Sequence, residues 1–263
     1  MNTIRKALIL VILISCSISG WAKTNPAQDV LFQFSTLSAL QAGILDGELT
    51  CKELKSHGNF GIGTFTGLGG EMVLLDGKIN QITSDGKVLS IDDAANVPFA
   101  LATYFEPDKT LSVDTELNFA QLLQNIDSQF SSKNIFYAIK ITGTFATVKT
   151  RSVPKQNRPY PTLAEVVKKQ VIFEGTNVKG TVVGFWAPSF VNGINLAGYH
   201  LHFIADDRSI GGHLFDCKLT KATITIDETP ALQFVLPNNP DFRNANLDVS
   251  VDKSLEVAGK DKK

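Results

Sequence analysis

The sequence predicts an α+β fold, built from largely antiparallel or mixed β-sheets in two closely packed subdomains with few helices. Runs of alternating apolar and β-branched residues recur between residues 58 and 226, and Asp-Gly pairs at 76–77 and 85–86 are typical of hairpin turns. Hydrophobic residues make up 43% of the 263 residues. This is enough to fill one large core or two smaller ones.

Residues 1–22 have the organisation of an export signal. The basic segment MNTIRK precedes the apolar run ALILVILISCSIS, and GWA at 20–22 offers small residues for cleavage. A lipoprotein signal ending before Cys16 stays open as an alternative, because LISC has the small residue and the cysteine that lipid attachment requires. Either signal predicts an exported protein, periplasmic or secreted, or anchored to the membrane through Cys16.

Residues 23–133 are predicted to form an N-terminal α+β subdomain. VLFQFSTLSALQAGIL begins with the alternation of a strand and continues with helical spacing, and residues 50–57 indicate a short helix stopped by Gly58. Strands and hairpins follow. TELNFAQLLQNIDSQF is then a predicted amphipathic helix, with one apolar stripe formed by Leu117, Phe119, Leu122, Leu123 and Ile126.

Residues 134–236 are predicted to form a β-rich subdomain, although no linker composition marks its start. Strands are expected in IFYAIKITGTFATVKTRSV, VIFEGTNVKGTVVGFWAP, INLAGYHLHFIA and GHLFDCKLTKATITI, with a short helix at 163–169. Residues 237–263 are polar and weakly periodic. They are expected to be either a disordered tail or an arm held against the body.

Charge and cysteine content narrow the possible functions. The net charge is −1 and the basic residues are scattered, so the chain lacks the concentrated positive field of a nucleic-acid-binding protein. Cys51 and Cys217 have no partner at CxxC spacing, which disfavours a zinc-thiolate site. A disulfide between them and two separate buried thiols are both open.

Three of the four histidines lie in the segment GYHLHFIADDRSIGGH. On a strand, His200 and His202 point to the same face, and the turn residues between them and His213 return the chain on an adjacent strand. Three imidazoles bind zinc and leave a fourth position for water or substrate. Ordinary strand histidines are the alternative, but the HxH pattern with a third histidine across a hairpin favours the metal site. His57, alone before a glycine, is assigned a structural role.

Two further residues are candidates for chemistry. The guanidinium of Arg151 presents a planar fork of donors that matches the two oxygens of a carboxylate. An arginine before a proline-containing loop, as here, is however often only a solvated residue. Glu71 follows two glycines, which allow close approach of a ligand but also suit a turn before a strand. From composition and spacing alone, the prediction is an exported zinc protein with an anion-binding pocket.

Three segments of the chain resemble the α-acetolactate decarboxylase family. They are LQAGILDGELTCKELKSHGNFGIGTFTGLGGEMVLLDG, FYAIKITGTFATVKTRSVPKQNRPYP and VKGTVVGFWAPSFVNGINLAGYHLHFIADDRSIGGHLFD, and the resemblance covers about residues 31–256. It implies a zinc site and an active-site pocket. The implied metal ligands are His200, His202 and His213, and the implied pocket residues are Arg151, Glu71, Thr64 and, in the C-terminal arm, Glu256.

The resemblance implies zinc-dependent decarboxylation of 2-acetolactate to (R)-acetoin and carbon dioxide, and a homodimer. In this reaction zinc stabilises an enediolate as a Lewis acid, Arg151 orients the carboxylate, and Glu71 or Glu256 supplies a proton. Two alternatives remain open from the sequence. One is a zinc-hydroxide hydratase or hydrolase of the carbonic-anhydrase type, and the other is a non-catalytic periplasmic metal-binding module.

Overall fold

The computed structural model describes residues 29–247, and it confirms an α+β fold dominated by strands. Within this range no helix is long and apolar enough to cross a membrane. The signal segment, Cys16 and Glu256 lie outside the described residues. Export, lipid attachment and the contribution of Glu256 therefore stay predictions.

The first sheet has seven strands and is mixed, because β1 and β15 pair in parallel while the other neighbours are antiparallel. In spatial order the strands are β15 (Ala231–Val235), β1 (Val30–Phe34), β8 (Phe99–Thr103), β3 (Phe60–Thr64), β4 (Glu71–Leu75), β5 (Lys78–Ile82) and β6 (Val88–Ser90). The hairpin between β4 and β5 turns at Asp76 and Gly77, whose φ angles of 50° and 74° are those of the predicted Asp-Gly turn. A separate short pair joins β2 (Leu49–Thr50) to β7 (Asn96–Val97).

The second sheet has six strands and is antiparallel throughout. Its strands are β9 (Lys109–Val113), β10 (Leu117–Asn118), β11 (Phe136–Ser152), β12 (Val171–Ala187), β13 (Gly198–Ala205) and β14 (Gly211–Thr229). In addition to the path β14-β11-β12-β13, strand β13 pairs with the beginning of β14. These four strands therefore close on one another in a ring.

The five helices of the described region are short: α1 (Leu37–Gln41), α2 (Cys51–Lys55), α3 (Phe119–Asp127), α4 (Leu163–Val167) and α5 (Pro240–Asn244). Helix α2 begins with a capping box between Thr50 and Glu53, as its sequence allows. Helix α3 is the predicted amphipathic helix and buries Leu122 and Ile126. Leu117, expected in its apolar stripe, lies instead in β10, because Asn118 caps the helix and starts it one residue later.

The core between the two sheets is a single apolar cluster, with residues of both sheets such as Ile62 and Leu101 on one side and Val183 and Phe185 on the other. Cys217 lies in a second cluster, which packs α3 against the six-stranded sheet. Cys51 lies in a third, on the outer face of the seven-stranded sheet. Both thiols are buried and free, as expected for cysteines in separate cores.

Pairing crosses the predicted boundary near residue 134 in both directions. Strands β9 and β10 precede it yet pair with β14, whereas β15 follows it and pairs with β1. The described part of the predicted C-terminal arm is held against the body: Asp241 pairs with Arg158, and Asn239 donates to Glu48 at 2.9 Å.

Asp227 is a buried carboxyl group at the corner where β14 meets the loop before β9. Its Oδ2 accepts a hydrogen bond from the backbone N–H of Glu106 at 3.1 Å. Burial raises the pKa of Asp227 to about 7, the Glu106 N–H lowers it, and the carboxylates of Asp108, Asp29 and Glu106 raise it further. The folded protein therefore binds this proton more tightly than the unfolded chain, where aspartate has a pKa near 3.8.

We expect Asp227→Asn to stabilise the protein above neutral pH. Because the folded-state pKa is raised, ionisation of Asp227 reduces the free energy of unfolding as pH rises from about 4 to about 7. The amide keeps an oxygen for the Glu106 N–H and cannot ionise, so Tm at pH 8 should rise by roughly 3 °C or more, and much less at pH 4. Asp114→Asn, at an exposed carboxylate, is the control; an equal change of Tm at both pH values for Asp227→Asn would contradict the prediction.

Candidate metal centre and pocket

The three histidines of GYHLHFIADDRSIGGH converge as the strand pattern predicted. The ring centroids of His200 and His202, of His200 and His213, and of His202 and His213 are 5.1, 5.1 and 5.4 Å apart. One ligand nitrogen from each ring lies within 4.8 Å of the other two. Among the described residues this is the group of His, Cys, Asp and Glu side chains that could hold a metal ion.

The strand register explains the convergence. His200 and His202 alternate on β13, and His202 is directly opposite His213 on β14. Gly212 has a φ of +128°, and a Cβ there would lie 2.3 Å from the carbonyl oxygen of Arg151. The glycine therefore lets β14 approach β11 at the point where His213 enters the site.

The imidazoles are held in the neutral form that binds metals. Burial lowers the pKa of His202 to about 4 and takes those of His200 and His213 well below the usual range, and the Arg151 charge lowers all three further. The ring of His202 is oriented by the carbonyl oxygen of Met72, which lies 2.8 Å from Nδ1. Since a carbonyl only accepts, Nδ1 carries the proton and Nε2 presents its lone pair.

Two imidazole nitrogens of the site are buried without a hydrogen-bond partner among the described residues, and this observation tests whether the site fits a cation. They are His200 Nδ1 and His202 Nε2. Unpartnered buried lone pairs are costly, and a divalent cation satisfies several at once. Three imidazole nitrogens are a preferred donor set for zinc. The residues present therefore fit a metal ion.

Arg151 lies next to the histidines because β11 pairs with β14, with Arg151 directly opposite His213. Its Nη1 donates to Oε1 of Gln170 at 3.0 Å, and the Phe215 ring centroid is 5.0 Å from Cζ. Burial lowers the pKa of Arg151 and the Glu71 carboxylate raises it, but a guanidinium stays charged in any protein environment. The site thus holds one permanent positive charge.

Glu71 comes from the other sheet, at the first position of β4. Gly70 precedes Glu71 and has a φ of +118°. Thr64, which pairs with Glu71 from the adjacent strand β3, donates a hydrogen bond from its hydroxyl to the Gly70 carbonyl at 2.8 Å. Burial raises the pKa of Glu71 to about 7 although the Arg151 charge lowers it. Glu71 Oε2 lies 3.5 Å from His202 Nε2. Two lone pairs facing each other need a proton or a cation between them.

These groups form one end of a pocket of about 740 Å³, a volume that includes the space open to solvent at its mouth. Thr64, Glu71, Arg151, His200 and His213 all line it, while His202 lies behind them. The remaining wall is mainly apolar. It is formed by Leu37, Leu40, Gln41, Gly63, Leu68, Phe99, Val153, Leu163, Val167 and Leu196.

The apolar wall and the two contacts of Arg151 were not predicted from the sequence. The wall combines α1, α4 and the loop before β13 with strands β3 and β8 of the first sheet and with Val153, which follows β11. Neither Gln170 nor Phe215 was singled out by the sequence pattern. Helical spacing around residues 37–41 and 163–167 predicted the helices but not the surface they cover. His57 has the structural position expected of it, with its ring stacked 3.7 Å from that of Phe32.

Two packed sheets enclosing an apolar pocket, with a three-histidine centre, an arginine and a carboxyl group at one end, define a small-molecule enzyme with a candidate metal centre. The family model for alpha-acetolactate decarboxylase matches residues 31–249. A relative named alpha-acetolactate decarboxylase from Methanosarcina mazei is 46% identical over 237 residues, covering 90% of this chain and 82% of the relative. The chain therefore belongs to the alpha-acetolactate decarboxylase family.

Other comparisons agree with this assignment. The alpha-acetolactate decarboxylase of Brevibacillus brevis is 43% identical, covering 85% of this chain and 79% of that protein. The crystal structure of alpha-acetolactate decarboxylase from Bacillus subtilis strain 168 superimposes with a TM-score of 0.84 and 40% identity, covering 89% of this chain and 100% of that one. The family resemblance read from the sequence is confirmed.

We expect His202→Ala to weaken binding of a divalent cation by more than about 100-fold. Loss of a residue that only hydrogen-bonds a metal ligand already weakens metal binding by up to about 100-fold, and loss of a ligand should cost more. The variant removes one of three converging nitrogens. Isothermal titration with Zn²⁺ measures the affinity, and the rise in Tm on adding Zn²⁺ gives an independent reading.

His57→Ala is the matched control, since its ring packs on Phe32 away from the site. It should bind Zn²⁺ as the wild type does, even if it is less stable. Wild-type affinity in His202→Ala would show that the three rings do not act together.

Proposed function

We propose that this protein catalyses the zinc-dependent decarboxylation of 2-acetolactate to (R)-acetoin and carbon dioxide. The observation that supports this most directly is the convergence of three neutral imidazoles beside Arg151 and Glu71, in a chain of the alpha-acetolactate decarboxylase family. His200, His202 and His213 would hold the zinc ion, which would supply Lewis-acid stabilisation of the negative charge that develops on the substrate.

Arg151 is the group that binds the substrate carboxylate. Its Nε is buried and has no hydrogen-bond partner within residues 29–247, so the guanidinium keeps a donor for a ligand. Charge-assisted hydrogen bonds from arginine to a carboxylate are among the stronger polar contacts in proteins. Holding the carboxylate there fixes which bond of the substrate faces the histidines.

The reaction breaks the bond between the carboxylate carbon and the carbon that bears the tertiary hydroxyl. The bonding electron pair moves towards the neighbouring ketone, carbon dioxide leaves, and an enediolate remains. Protonation of the hydroxyl-bearing carbon then gives acetoin. The residues therefore have to stabilise negative charge first and deliver one proton afterwards.

Glu71 is the proton donor that the described residues offer. Burial raises the pKa of its carboxyl to about 7, so it can hold a proton near neutral pH. A general acid is most effective when its pKa is close to the working pH. Because Glu71 reaches the pocket from one sheet and the histidines from the other, it approaches the substrate from one side. Protonation on a single face accounts for a single enantiomer of acetoin.

The apolar wall suits the rest of the substrate. The two methyl groups of acetolactate need apolar surroundings, and leucine and valine side chains of α1 and α4 provide them. Such a wall also excludes water from the charged end, which strengthens the electrostatic interactions there.

The decisive experiment incubates the purified, metal-quantified protein with racemic acetolactate and measures acetoin by chiral chromatography. We expect (R)-acetoin, loss of activity after chelation, and recovery on adding Zn²⁺. Carbon dioxide hydration is assayed in parallel. Hydration without acetoin formation would support the carbonic-anhydrase alternative, and metal binding without either reaction would support a binding module.

We expect Arg151→Ala and Glu71→Gln each to lower activity by about 100-fold or more, Arg151→Ala through kcat/KM and Glu71→Gln mainly through kcat. The first loses the carboxylate contact and the second the proton. Glu174→Gln, at an exposed carboxylate, is the control and should be unaffected. Full activity in Glu71→Gln would show that a group other than Glu71 donates the proton.

A further inference from the structure

Two side chains outside the pocket wall contact the guanidinium of Arg151. Gln170 Oε1 accepts a hydrogen bond from Nη1 at 3.0 Å, and the Phe215 ring lies 5.0 Å from Cζ. A planar guanidinium on a flexible stem has two orientations to fix: the direction of its plane and its rotation within that plane. An aromatic face constrains the first and a hydrogen bond to one Nη constrains the second.

A β-bulge places Phe215 at this position. Thr150 pairs with Leu214 and Lys149 pairs with Asp216, so Phe215 is the additional residue of β14. Bulges re-aim side chains and are frequent beside active sites. The Phe215 ring also meets that of His213 edge-on, with centroids 5.7 Å apart at 75°. A single ring thus contacts both Arg151 and a candidate metal ligand.

Gln170 connects the arginine to the pocket wall. It lies three residues after Val167, the last residue of α4, and its backbone N–H donates to the carbonyl of Val167 at 3.2 Å. Val167 and Leu163 of the same helix line the pocket. The position of α4 and the direction of the Arg151 guanidinium are therefore linked through one amide side chain.

We infer that Gln170 and Phe215 are positioning residues, which set the plane and the rotation of the Arg151 guanidinium so that its remaining donors face the substrate carboxylate. A guanidinium has five N–H donors; one of those on Nη1 is bound to Gln170, and Nε is buried without a partner among the described residues. The identity of the carboxylate as that of acetolactate rests on the proposed function. The arrangement itself concerns any small carboxylate bound beside the histidines.

The test uses Gln170→Met, which keeps the length of the side chain without the acceptor, and Phe215→Leu, which removes the ring. We expect each to lower kcat/KM for acetolactate about tenfold, as for the loss of one polar or cation–aromatic contact to a charged group. Phe215→Tyr keeps the aromatic face and should restore most of the activity. Bound zinc, measured by elemental analysis, should be unchanged in all three.

Ligands with and without a carboxylate distinguish positioning of Arg151 from a merely structural role of Gln170 and Phe215. Binding of 2-hydroxy-2-methylpropanoate, measured by calorimetry, should weaken about tenfold in Gln170→Met and Phe215→Leu, while binding of acetoin, which lacks the carboxylate, should change less than about twofold. In an Arg151→Lys background, either substitution should cost less than about twofold, because the group that they orient is gone.

The controls are Gln129→Met and Phe173→Leu. Gln129 bonds Ser128, and Phe173 packs on the core cluster beside α3, so both should retain the wild-type preference for the carboxylate ligand. Equal loss of affinity for both ligands, or full additivity in the Arg151→Lys background, would overturn the inference. If the wild type fails to decarboxylate acetolactate, the proposed function is wrong, whereas carboxylate binding still decides the positioning role.

Discussion

The pairing of β13 with the beginning of β14 is the constraint on which the site depends. It closes a ring of four strands and sets His202 directly opposite His213, while β11 sets Arg151 opposite His213 on the other side. Because side chains alternate along a strand, a slip of one residue would turn the imidazoles to the opposite face. Backbone hydrogen bonds between these four strands, rather than contacts between the side chains themselves, therefore determine the geometry of the candidate metal centre.

Burial then sets the electrostatic character of the site. The imidazoles are neutral and the pKa of Glu71 is raised to about 7, so Arg151 is the permanent charge among the described groups. In such surroundings an added cation or anion interacts strongly with the groups that face it, because little solvent screens them. A site of this kind favours a reaction in which negative charge moves from a carboxylate to a neighbouring oxygen.

Local patterns predicted what local geometry determines. The convergence of His200, His202 and His213 follows from the alternation of side chains along a strand and from the turn that returns the chain. The Asp-Gly turns follow from the residue preferences of hairpins. The family resemblance supplied Thr64, and it favoured a site role for Glu71, which the sequence pattern alone could also explain as part of a turn before a strand. The contacts of Gln170 and Phe215 depend on a bulge in β14 and on where α4 packs, neither of which has a local signature. The strands that cross between the two predicted subdomains are likewise set by long-range pairing. One example is β15, which follows residue 134 but pairs with β1.

The site belongs to the interface between the two sheets, and neither sheet holds it alone. The beginning of β4 contributes two consecutive groups: the Glu71 carboxyl, which faces His202, and the Met72 carbonyl, which accepts a hydrogen bond from His202 Nδ1. The first sheet therefore supplies the buried carboxyl group and also fixes the tautomer of a candidate metal ligand that the second sheet presents. Packing of the inter-sheet core thus has a chemical consequence, because any shift of β4 against β13 moves the proposed proton donor and a candidate metal ligand together.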